Sequence, residues 1–337
     1  MVKIENRELK VKIVFITHSF RQCGVYQYGR SIFDDVSGID GIQLSYRECS
    51  SKEDILRAVS SEIPDIVFYN FHYGTIPFSL DAMVQIKKDY PKIVHLGFAH
   101  EMIDSEMDLF DFAVCSDPTL KETDRLFKTG RVIPRYDNKF NLPLIPTFGS
   151  FGFCCPHKGY ERLIDLVQEQ FDEAVIRINL AFQTPSDTAG DGARQRAESC
   201  RRRISKPNVR LEITYDFFAN QTELMDFLAK NSLNAFLYED EIRLKRKIED
   251  TPKGISSVID FAMAVRRPVA ISSSNMFRHL LEISPSIVVG KIGLRQIMEN
   301  GLAPLSKLYE EWTLERLRES YTSIFCRVLQ ASPRRFG

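Results

Sequence analysis

The stretch of sequence that decides the fold is NAFLYEDEIRLKRKIEDTPKGISSVIDFAMAVRRPVAIS, which spans residues 234–272. Apolar runs predict one strand over residues 235–238 and another over residues 269–272. Between them, apolar residues at helical spacing predict a helix over residues 258–265. A strand, a charged loop, a helix and a second strand in this order form a βαβ crossover, which is the unit of a parallel sheet.

The start of that helix is the best-specified point of the stretch. Ser257 and Asp260 have the spacing of a capping box. Lys253 and the hydroxyls of Ser256 and Ser257 supply donors at a helix mouth, where the free N–H groups and the positive end of the helix dipole also point. The segment KGISS, which includes Gly254, therefore indicates an anion site. An ordinary crossover whose serines only cap the helix has the same pattern, and both interpretations stay open here.

Outside this stretch the chain alternates strands with helices at the spacing of βαβ units. The run VKIVFIT at residues 11–17 is typical of a strand buried in a parallel sheet. In the second half, residues 158–170 read as a helix, residues 287–289 as a strand and residues 305–329 as a long amphipathic helix. This alternation predicts an α/β chain whose parallel sheets are doubly wound.

Length and composition indicate the number of domains. With 337 residues, the chain is long for one core and natural for two. We expect domains over residues 1–144 and 145–305, and a C-terminal helix over residues 306–337 that packs back across the domain junction. The cleft between the carboxyl ends of the two sets of strands is then the expected site.

Charge and cysteine content argue against several classes of protein. The 45 basic and 45 acidic residues balance, so no global field favours nucleic acid. Seven cysteines without a CxxC pattern argue against a disulfide scaffold and a zinc site. No apolar run has transmembrane length and the N-terminus has no signal-peptide pattern, so a cytoplasmic location is expected. Basic clusters leave room for peripheral contact with the inner face of a membrane.

Four segments carry a family resemblance: CGVYQYGRSI at residues 23–32, RVIPRYDN at 131–138, FGSFGFCCPHKGYERLIDLV at 148–167 and GISSVIDFAMAVRRPVAIS at 254–272. In order and spacing they make the chain resemble the GT-B glycosyltransferases over nearly its whole length. The resemblance is closest to the family-4 retaining type (glycosyltransferase group 1). It implies an α/β chain of GT-B fold, with two Rossmann-like, doubly wound parallel-sheet domains that face a cleft.

The resemblance also implies an activity. A retaining, hexosyltransferase-like enzyme of this kind moves a sugar from a nucleotide-sugar donor to a glycan or lipid-linked acceptor, as in polysaccharide biosynthesis. No cofactor is expected, and no isolated DxD pattern follows a strand, so we expect metal-independent chemistry. Two other interpretations stay open. One is a catalytically altered GT-B protein that acts as a nucleotide- or sugar-binding subunit, and the other is a GT-B-shaped sugar-nucleotide epimerase.

The chain also departs from the family pattern. The two acidic positions of the family's Glu-x7-Glu pattern fall on Lys253 and Phe261. The position of its phosphate-binding arginine falls on Phe153, whereas the following lysine is retained as Lys158. Acidic residues close by in the sequence are candidates to replace the missing carboxylates: Glu239, Glu249, Asp250 and Asp260.

Candidate donor-binding residues come from these motifs. The protein must neutralise charge that grows on a departing diphosphate, and the residues that we expect to serve this end are Gly24, Lys158, Lys253, Gly254, Ser256 and Ser257. Gly24 follows the first strand, where a side chain would block the close approach of backbone to a phosphate or sugar, although a simple turn glycine has the same position. Tyr26, on the helix that follows, is a candidate for the acceptor side.

Histidines at strand ends provide the catalytic candidates. His100 and Glu101 follow the fourth predicted strand, where ligands of α/β sheets gather. An imidazole can donate or accept there, and a carboxylate can orient it or act on the acceptor hydroxyl. His72, after the third strand, is an acceptor-side candidate. His18 also ends a strand but lies outside the matched pattern, and His95 is expected to be a buried core residue.

Overall fold

The structure is a computed structural model that describes residues 3–4, 7–8, 10–21, 23–100, 102–181, 190–216, 218, 220–240 and 254–331. Its contacts divide the chain into two compact units. The first covers Met1–Val132, Glu249–Ile255 and Trp312–Gly337, and the second covers Ile133–Ile248 and Ser256–Glu311. Each unit is built round its own parallel sheet, as the alternation of strands and helices predicts.

Most strands are short and apolar, as expected for parallel sheets. Within the described residues they are β1 (Lys3–Ile4), β2 (Arg7–Glu8), β3 (Val11–His18), β4 (Ile42–Cys49), β5 (Ile66–Phe71), β6 (Val94–Ala99), β7 (Phe112–Cys115), β8 (Leu126–Lys128), β9 (Thr147–Phe153), β10 (Ala174–Ala181), β11 (Val209–Thr214), β12 (Leu233–Phe236) and β13 (Val269–Ile271).

The α-helices alternate with these strands. In the same part of the chain they are α1 (Gly24–Val36), α2 (Lys52–Glu62), α3 (Ser79–Asp89), α4 (Asp104–Met107), α5 (Tyr160–Gln170), α6 (Gly190–Arg202), α7 (Gln221–Ala229), α8 (Val258–Ala264), α9 (Arg278–Leu281), α10 (Leu294–Asn300), α11 (Ser306–Glu311) and α12 (Leu314–Ala331). Short 3-10 helices cover Pro156–Lys158, Asn275–Phe277, Pro285–Ile287 and Ala303–Leu305.

The first unit contains a six-stranded sheet in the order β4-β3-β5-β6-β7-β8, with every neighbouring pair parallel. Strand β3 is buried on both faces, so its side chains enter two cores. Ile13 and Phe15 belong to one buried cluster together with Phe325 of α12. Val14 and Ile16 belong to the opposite cluster, which α2 and α3 help to form. The C-terminal helix therefore completes the core of the first unit.

The second unit contains a five-stranded sheet in the order β11-β10-β9-β12-β13, again parallel throughout. Its main core packs α5, α6 and α10 against the sheet. In the register, Leu233 of β12 pairs with Phe148 of β9, and Phe236 pairs with Ile271 of β13. The loops after β9, β12 and β13 consequently leave the sheet at one edge.

Two predicted elements of the second half are wrong in form. Residues 287–289 do not form a strand: a 3-10 helix ends there, and a single bridge joins Ile271 to Val288. The helix predicted over residues 305–329 is broken, because α11 ends at Glu311 and α12 begins at Leu314. The hydroxyl of Thr313 accepts a hydrogen bond from the Arg316 N–H at 3.4 Å, as a helix-capping residue does.

The fold also differs from the prediction at two shorter segments. The helix predicted over residues 158–170 is divided at Gly159 into a 3-10 turn and α5. Strand β8, three residues long, is too short for periodicity to reveal. In the described part of the chain, no helix combines the length and the apolar character that a membrane span needs.

Candidate functional site

A tight turn at the carboxyl end of β9 begins the candidate site in the second unit. Gly159 has a φ of +67°, and a Cβ at this position would lie 2.0 Å from the carbonyl oxygen of Leu237. Only glycine therefore allows the Pro156–Lys158 turn to lie against the chain that leaves β12. The Glu239 N–H donates a hydrogen bond to the His157 carbonyl at 2.8 Å, which ties the two segments together.

This contact brings two of the predicted donor-binding residues together. The Lys158 ammonium donates to the hydroxyl of Tyr238 at 2.6 Å and lies 3.9 Å from the centre of its ring. The same hydroxyl is 3.5 Å from Oγ of Ser256. Tyr238 is only 4% exposed, and its ring also packs on Phe277, with 4.8 Å between centroids. Lys158 and Ser256, almost a hundred positions apart in the sequence, thus meet through a buried tyrosine.

Tyr238 is not among the residues that the sequence predicts for the site. The sequence-based strand over residues 235–238 includes it, whereas β12 ends at Phe236. Its position two residues beyond the strand, at the carboxyl edge of a parallel sheet, is the signal that would have selected it.

A cavity of about 500 Å³ opens beside Tyr238. It is lined by Arg162, Tyr238, Glu239, Asp240, Ser272, Ser273 and Ser274. Hydrogen bonds join the two loops that form it. The carboxylate of Asp240 accepts from the Ser274 hydroxyl and from the Asn275 N–H, both at 2.6 Å, and the Ser272 hydroxyl donates to the Tyr238 carbonyl at 2.7 Å. The wall is therefore polar and already organised.

Arg162 is the cation of this cavity. It lies in the first turn of α5, on the side that lines the cavity. Within the described part of the chain, its guanidinium has neither an ion-pair nor a hydrogen-bond partner. A guanidinium presents several donors in a planar fork that matches a phosphate. Arg162 was not predicted from the sequence, because the family pattern has its phosphate-binding arginine at the position of Phe153.

The mouth of α8 differs from the sequence-based picture. Ser257 is the residue before the helix, but its side chain makes no capping hydrogen bond, so the predicted capping box is wrong. The Ser256 N–H donates to the Met276 carbonyl at 3.0 Å and is not free for an anion. Gly254 has a φ of +128°, which requires glycine. Lys253 lies outside the described residues.

The acidic positions of the family pattern hold no accessible carboxylate in α8. Phe261 is 9% exposed and Asp260 is 4% exposed, so both side chains belong to the interior. Glu249 and Asp250 lie outside the described residues. Glu239 follows Tyr238 and lines the cavity, and its N–H is bonded to the carbonyl of His157, the residue before Lys158. It is the acidic candidate that remains.

Three histidines lie at the carboxyl edge of the first sheet. His18 is the last residue of β3, His72 follows β5, and His100 follows β6. These strands are neighbours in the sheet, so the three rings come within electrostatic range of one another. Burial above all, and then the nearby His72, lowers the pKa of His18 to about 4. Burial likewise lowers the pKa of His100 to about 3, with smaller contributions from His72 and His18.

Asn70 fixes the orientation of His100. Its amide nitrogen donates to the Thr17 hydroxyl at 3.0 Å and to the Val25 carbonyl at 2.8 Å. The amide oxygen therefore faces Nε2 of His100, at 2.6 Å. Because an amide oxygen only accepts, Nε2 of the neutral ring carries the proton and Nδ1 carries the lone pair. Glu101, the predicted partner of His100, lies outside the described residues.

The remaining predicted residues of the first unit have varied environments. Tyr26 is buried, and its hydroxyl donates to Glu48 at 2.6 Å. Gly24 is the exposed first residue of α1, and a Cβ there would meet nothing within 4 Å. His72 is half-buried. His95 is a core residue, as predicted, with Nδ1 3.0 Å from the hydroxyl of a neighbouring tyrosine.

No protein-family model matches the chain, and no curated protein sequence matches it. Solved structures do. The Anabaena protein HepE, in complex with UDP, is similar over 95% of this chain and 96% of its own, with 12% identity and a TM-score of 0.54. The sucrose-phosphate synthase of Thermosynechococcus elongatus is similar over 95% of this chain and 97% of its own, with 12% identity and a TM-score of 0.57.

A third structure, the trehalose-6-phosphate synthase OtsA, is similar over 95% of this chain and 99% of its own, with 9% identity and a TM-score of 0.60. All three are proteins of GT-B fold. At such identities the likeness establishes the fold and nothing finer. The chain has the GT-B fold, with a Rossmann-like parallel sheet in each unit, as the resemblance implies.

Proposed function

We propose that this chain is a glycosyltransferase that uses a nucleotide-sugar as donor. The observation that carries the proposal is the meeting of Lys158, Tyr238 and Ser256 beside a polar cavity at the carboxyl edge of the second sheet. Ligands of open α/β sheets bind at that edge. The GT-B fold supports the same class of reaction, since the similar structures include two sugar-phosphate synthases and a protein crystallised with UDP.

Lys158 and Arg162 supply the positive charge that the reaction needs. As the sugar leaves, negative charge grows on the diphosphate, and fixed cations stabilise it more in the transition state than in the ground state. Arg162 then does from α5 what the resemblance assigns to the position of Phe153. The donor-binding roles proposed for Gly24, Lys253, Gly254, Ser256 and Ser257 are kept, with the two serine hydroxyls and the Lys253 ammonium as donors to the phosphates.

Tyr238 holds Lys158 in position. Its hydroxyl accepts from the ammonium, and its ring lies beneath the same charge, so the flexible lysine is confined before a donor binds. Such preorganisation reduces the side-chain entropy that binding would otherwise cost. Glu239, on the cavity wall, takes the acidic role that the resemblance gives to the positions of Lys253 and Phe261.

The acceptor side belongs to residues of the first unit. We propose His100 and Glu101 as the catalytic residues that act on the acceptor hydroxyl, and Tyr26 and His72 as acceptor contacts. Transfer with retention to a glycan or lipid-linked acceptor, in polysaccharide biosynthesis and without a metal ion, completes the proposal. A cytoplasmic location, with peripheral contact at a membrane, also remains a prediction from the sequence.

The first experiment tests donor binding with a panel of nucleoside diphosphates. A true ligand at a hundred times its dissociation constant stabilises the fold by about 2.7 kcal/mol, which a thermal-shift assay detects. Lys158→Ala should weaken binding at least about tenfold, the usual cost of a charge-assisted contact. The matched control is Lys291→Ala, which removes an exposed lysine of the same unit. If no nucleoside diphosphate binds the wild-type protein, the proposal is refuted.

The second experiment distinguishes a specific contribution of Arg162 to diphosphate binding from the effect of removing any positive charge from the second unit. Arg162→Ala should weaken diphosphate binding, Arg162→Lys should restore part of it, and Arg210→Ala, at an exposed position of the same unit, should leave it unchanged. Glu239→Gln should retain binding but lose hydrolysis or transfer of the nucleotide-sugar. Binding without turnover in the wild-type protein would identify a binding subunit instead of an enzyme.

A further inference from the structure

We infer that His18 is a specificity-determining contact for an uncharged, hydroxyl-bearing ligand bound at the carboxyl edge of the first sheet. The inference rests on the proposed function, because it assigns the chemical class of the acceptor. It concerns a residue that lies outside the motifs of the family resemblance.

The first observation is an unpaired donor. The Phe20 N–H donates to Nδ1 of His18 at 3.1 Å, so Nδ1 carries the lone pair and the proton of the neutral ring is on Nε2. His18 is only 4% exposed, and its Nε2 has no hydrogen-bond partner among the described residues. A buried donor without a partner is destabilising, and native proteins retain such groups where something else repays the cost.

The second observation is the set of groups beside it. Nδ1 of His72 accepts from the Gly74 N–H at 3.1 Å, so the neutral ring of His72 also carries its proton on Nε2. His100 has the opposite arrangement, with Nε2–H given to Asn70 and Nδ1 left as an acceptor. The cluster thus combines two N–H donors with one acceptor. A hydroxyl donates and accepts at once and matches this mixture.

The third observation is the lack of charge. Burial lowers the pKa of both His18 and His100 far below 7, so these rings are neutral at physiological pH. The anion that acts on His18 is Glu48, and the exposed Arg21 forms an ion pair with it at 3.3 Å, so the two charges offset each other and leave no net positive charge for a phosphate or carboxylate. Tyr73, next to His72 and 53% exposed, offers a ring on which the apolar face of a sugar can stack. These features together favour a neutral sugar over a sugar phosphate.

Two substitutions distinguish the role of the accepting Nδ1 of His18 from that of its donating Nε2–H. In His18→Asn the side-chain oxygen still accepts from the N–H two residues on, as in an Asx turn, but the distal donor is lost. In His18→Gln the longer amide returns a donor near the position of Nε2. Asparagine should therefore lose the ligand while keeping the local turn, and glutamine should recover it.

The probes are the methyl glycosides of glucose, mannose and galactose, with glucose 6-phosphate as the charged counterpart. Dissociation constants are measured by saturation-transfer NMR on the full chain, with and without UDP. We expect at least one methyl glycoside to bind the wild-type protein more tightly than glucose 6-phosphate. His18→Asn should weaken that binding about tenfold, the effect of one unmade hydrogen bond, and His18→Gln should return it to within about threefold.

A second measurement keeps the test valid if His18→Asn fails to fold. In wild-type protein with 15N-labelled histidine, the Nε2–H resonance of His18 should shift when the glycoside saturates the site. No glycoside binding, a preference for glucose 6-phosphate, or an unmoved resonance would overturn the inference. Failure of every nucleoside diphosphate to bind, with histidine-dependent glycoside binding intact, would instead refute the proposed glycosyltransferase and leave the sugar site standing.

Discussion

Replacement of Tyr238 by phenylalanine tests the centre of the candidate site. The substitution removes one oxygen, which lies 2.6 Å from the Lys158 ammonium and 3.5 Å from Oγ of Ser256. The ring remains packed on Phe277 and still lies under the lysine charge. A hydrogen bond to a charged group contributes roughly 1.5–3 kcal/mol. Lys158 is half-buried, so water screens the interaction. We therefore expect Tyr238→Phe to lower the free energy of unfolding by about 1.5 kcal/mol, the lower limit of this range.

The second consequence concerns affinity. Without the hydroxyl, the lysine side chain regains rotamers that it must lose again when a diphosphate binds, at a cost of about 1 kcal/mol. That corresponds to roughly fivefold weaker binding. Stability is measured by urea unfolding, and affinity by isothermal titration with the nucleoside diphosphate that binds the wild-type protein.

The control is Tyr309→Phe, in the same unit. Its hydroxyl donates to the Met263 carbonyl at 2.7 Å and makes no contact with Lys158. We expect this variant to lose stability without losing affinity. If Tyr238→Phe changed neither quantity, or changed stability alone in the manner of the control, Tyr238 would have no role in positioning Lys158.

Three further predictions concern the fold. Gly159→Ala should lower the free energy of unfolding, measured with urea, by more than about 2 kcal/mol, because φ is +67° and the added Cβ would meet the Leu237 carbonyl. The control is Gly24→Ala, where nothing lies within 4 Å of the added Cβ, and its free energy of unfolding should stay within about 0.5 kcal/mol of the wild-type value. The pKa of His18 falls from 6.5 to about 4 on folding. The contribution of this residue to the free energy of unfolding is therefore complete above pH 6.5 and is lost as the pH falls towards 4. Between pH 7 and pH 5 the free energy of unfolding should fall by about 2 kcal/mol more in the wild-type protein than in His18→Asn. Equal decreases would mean that the His18 ring is not buried. Phe325→Ala should lower the free energy of unfolding, measured by calorimetry, by about 3–5 kcal/mol, because this ring of α12 is fully buried in the core of the first unit. A decrease below about 1 kcal/mol would mean that α12 is not part of that core.

Several elements were predictable from the sequence because their signals are local. The strands predicted over residues 11–17 and 269–272 and the helix predicted over residues 258–265 agree with β3, β13 and α8 to within one residue at each end. Apolar runs and helical spacing report directly on burial, which decides secondary structure in an α/β fold. The strand predicted at residues 287–289 was wrong, because a short apolar run does not distinguish a strand from a buried turn.

The candidate site was predictable only in part. Lys158 and Ser256 follow from their motifs, and His100 from its place after a strand. Arg162 was missed because it has no local pattern that differs from an ordinary helix residue. Tyr238 was missed because the predicted strand ran to residue 238, whereas β12 ends at Phe236. Their roles depend on what they face: Tyr238 meets Lys158, and Arg162 lines the same cavity. The capping box at Ser257 was wrong, since spacing shows which residues could bond and not which way a hydroxyl points.

The stretch at residues 234–272 shows where the sequence stops being sufficient. By itself the sequence determined the alternation of strand and helix and the parallel sheets, because these follow from periodic burial along the chain. The GT-B fold was implied by the resemblance that the four motifs carry. Only the tertiary structure decided that Lys158 and Ser256 meet at Tyr238, that Phe261 is buried, and that Nε2 of His18 has no partner among the described residues. Those properties depend on contacts between residues far apart in sequence, and such contacts exist only once the sheets have set the register of their strands.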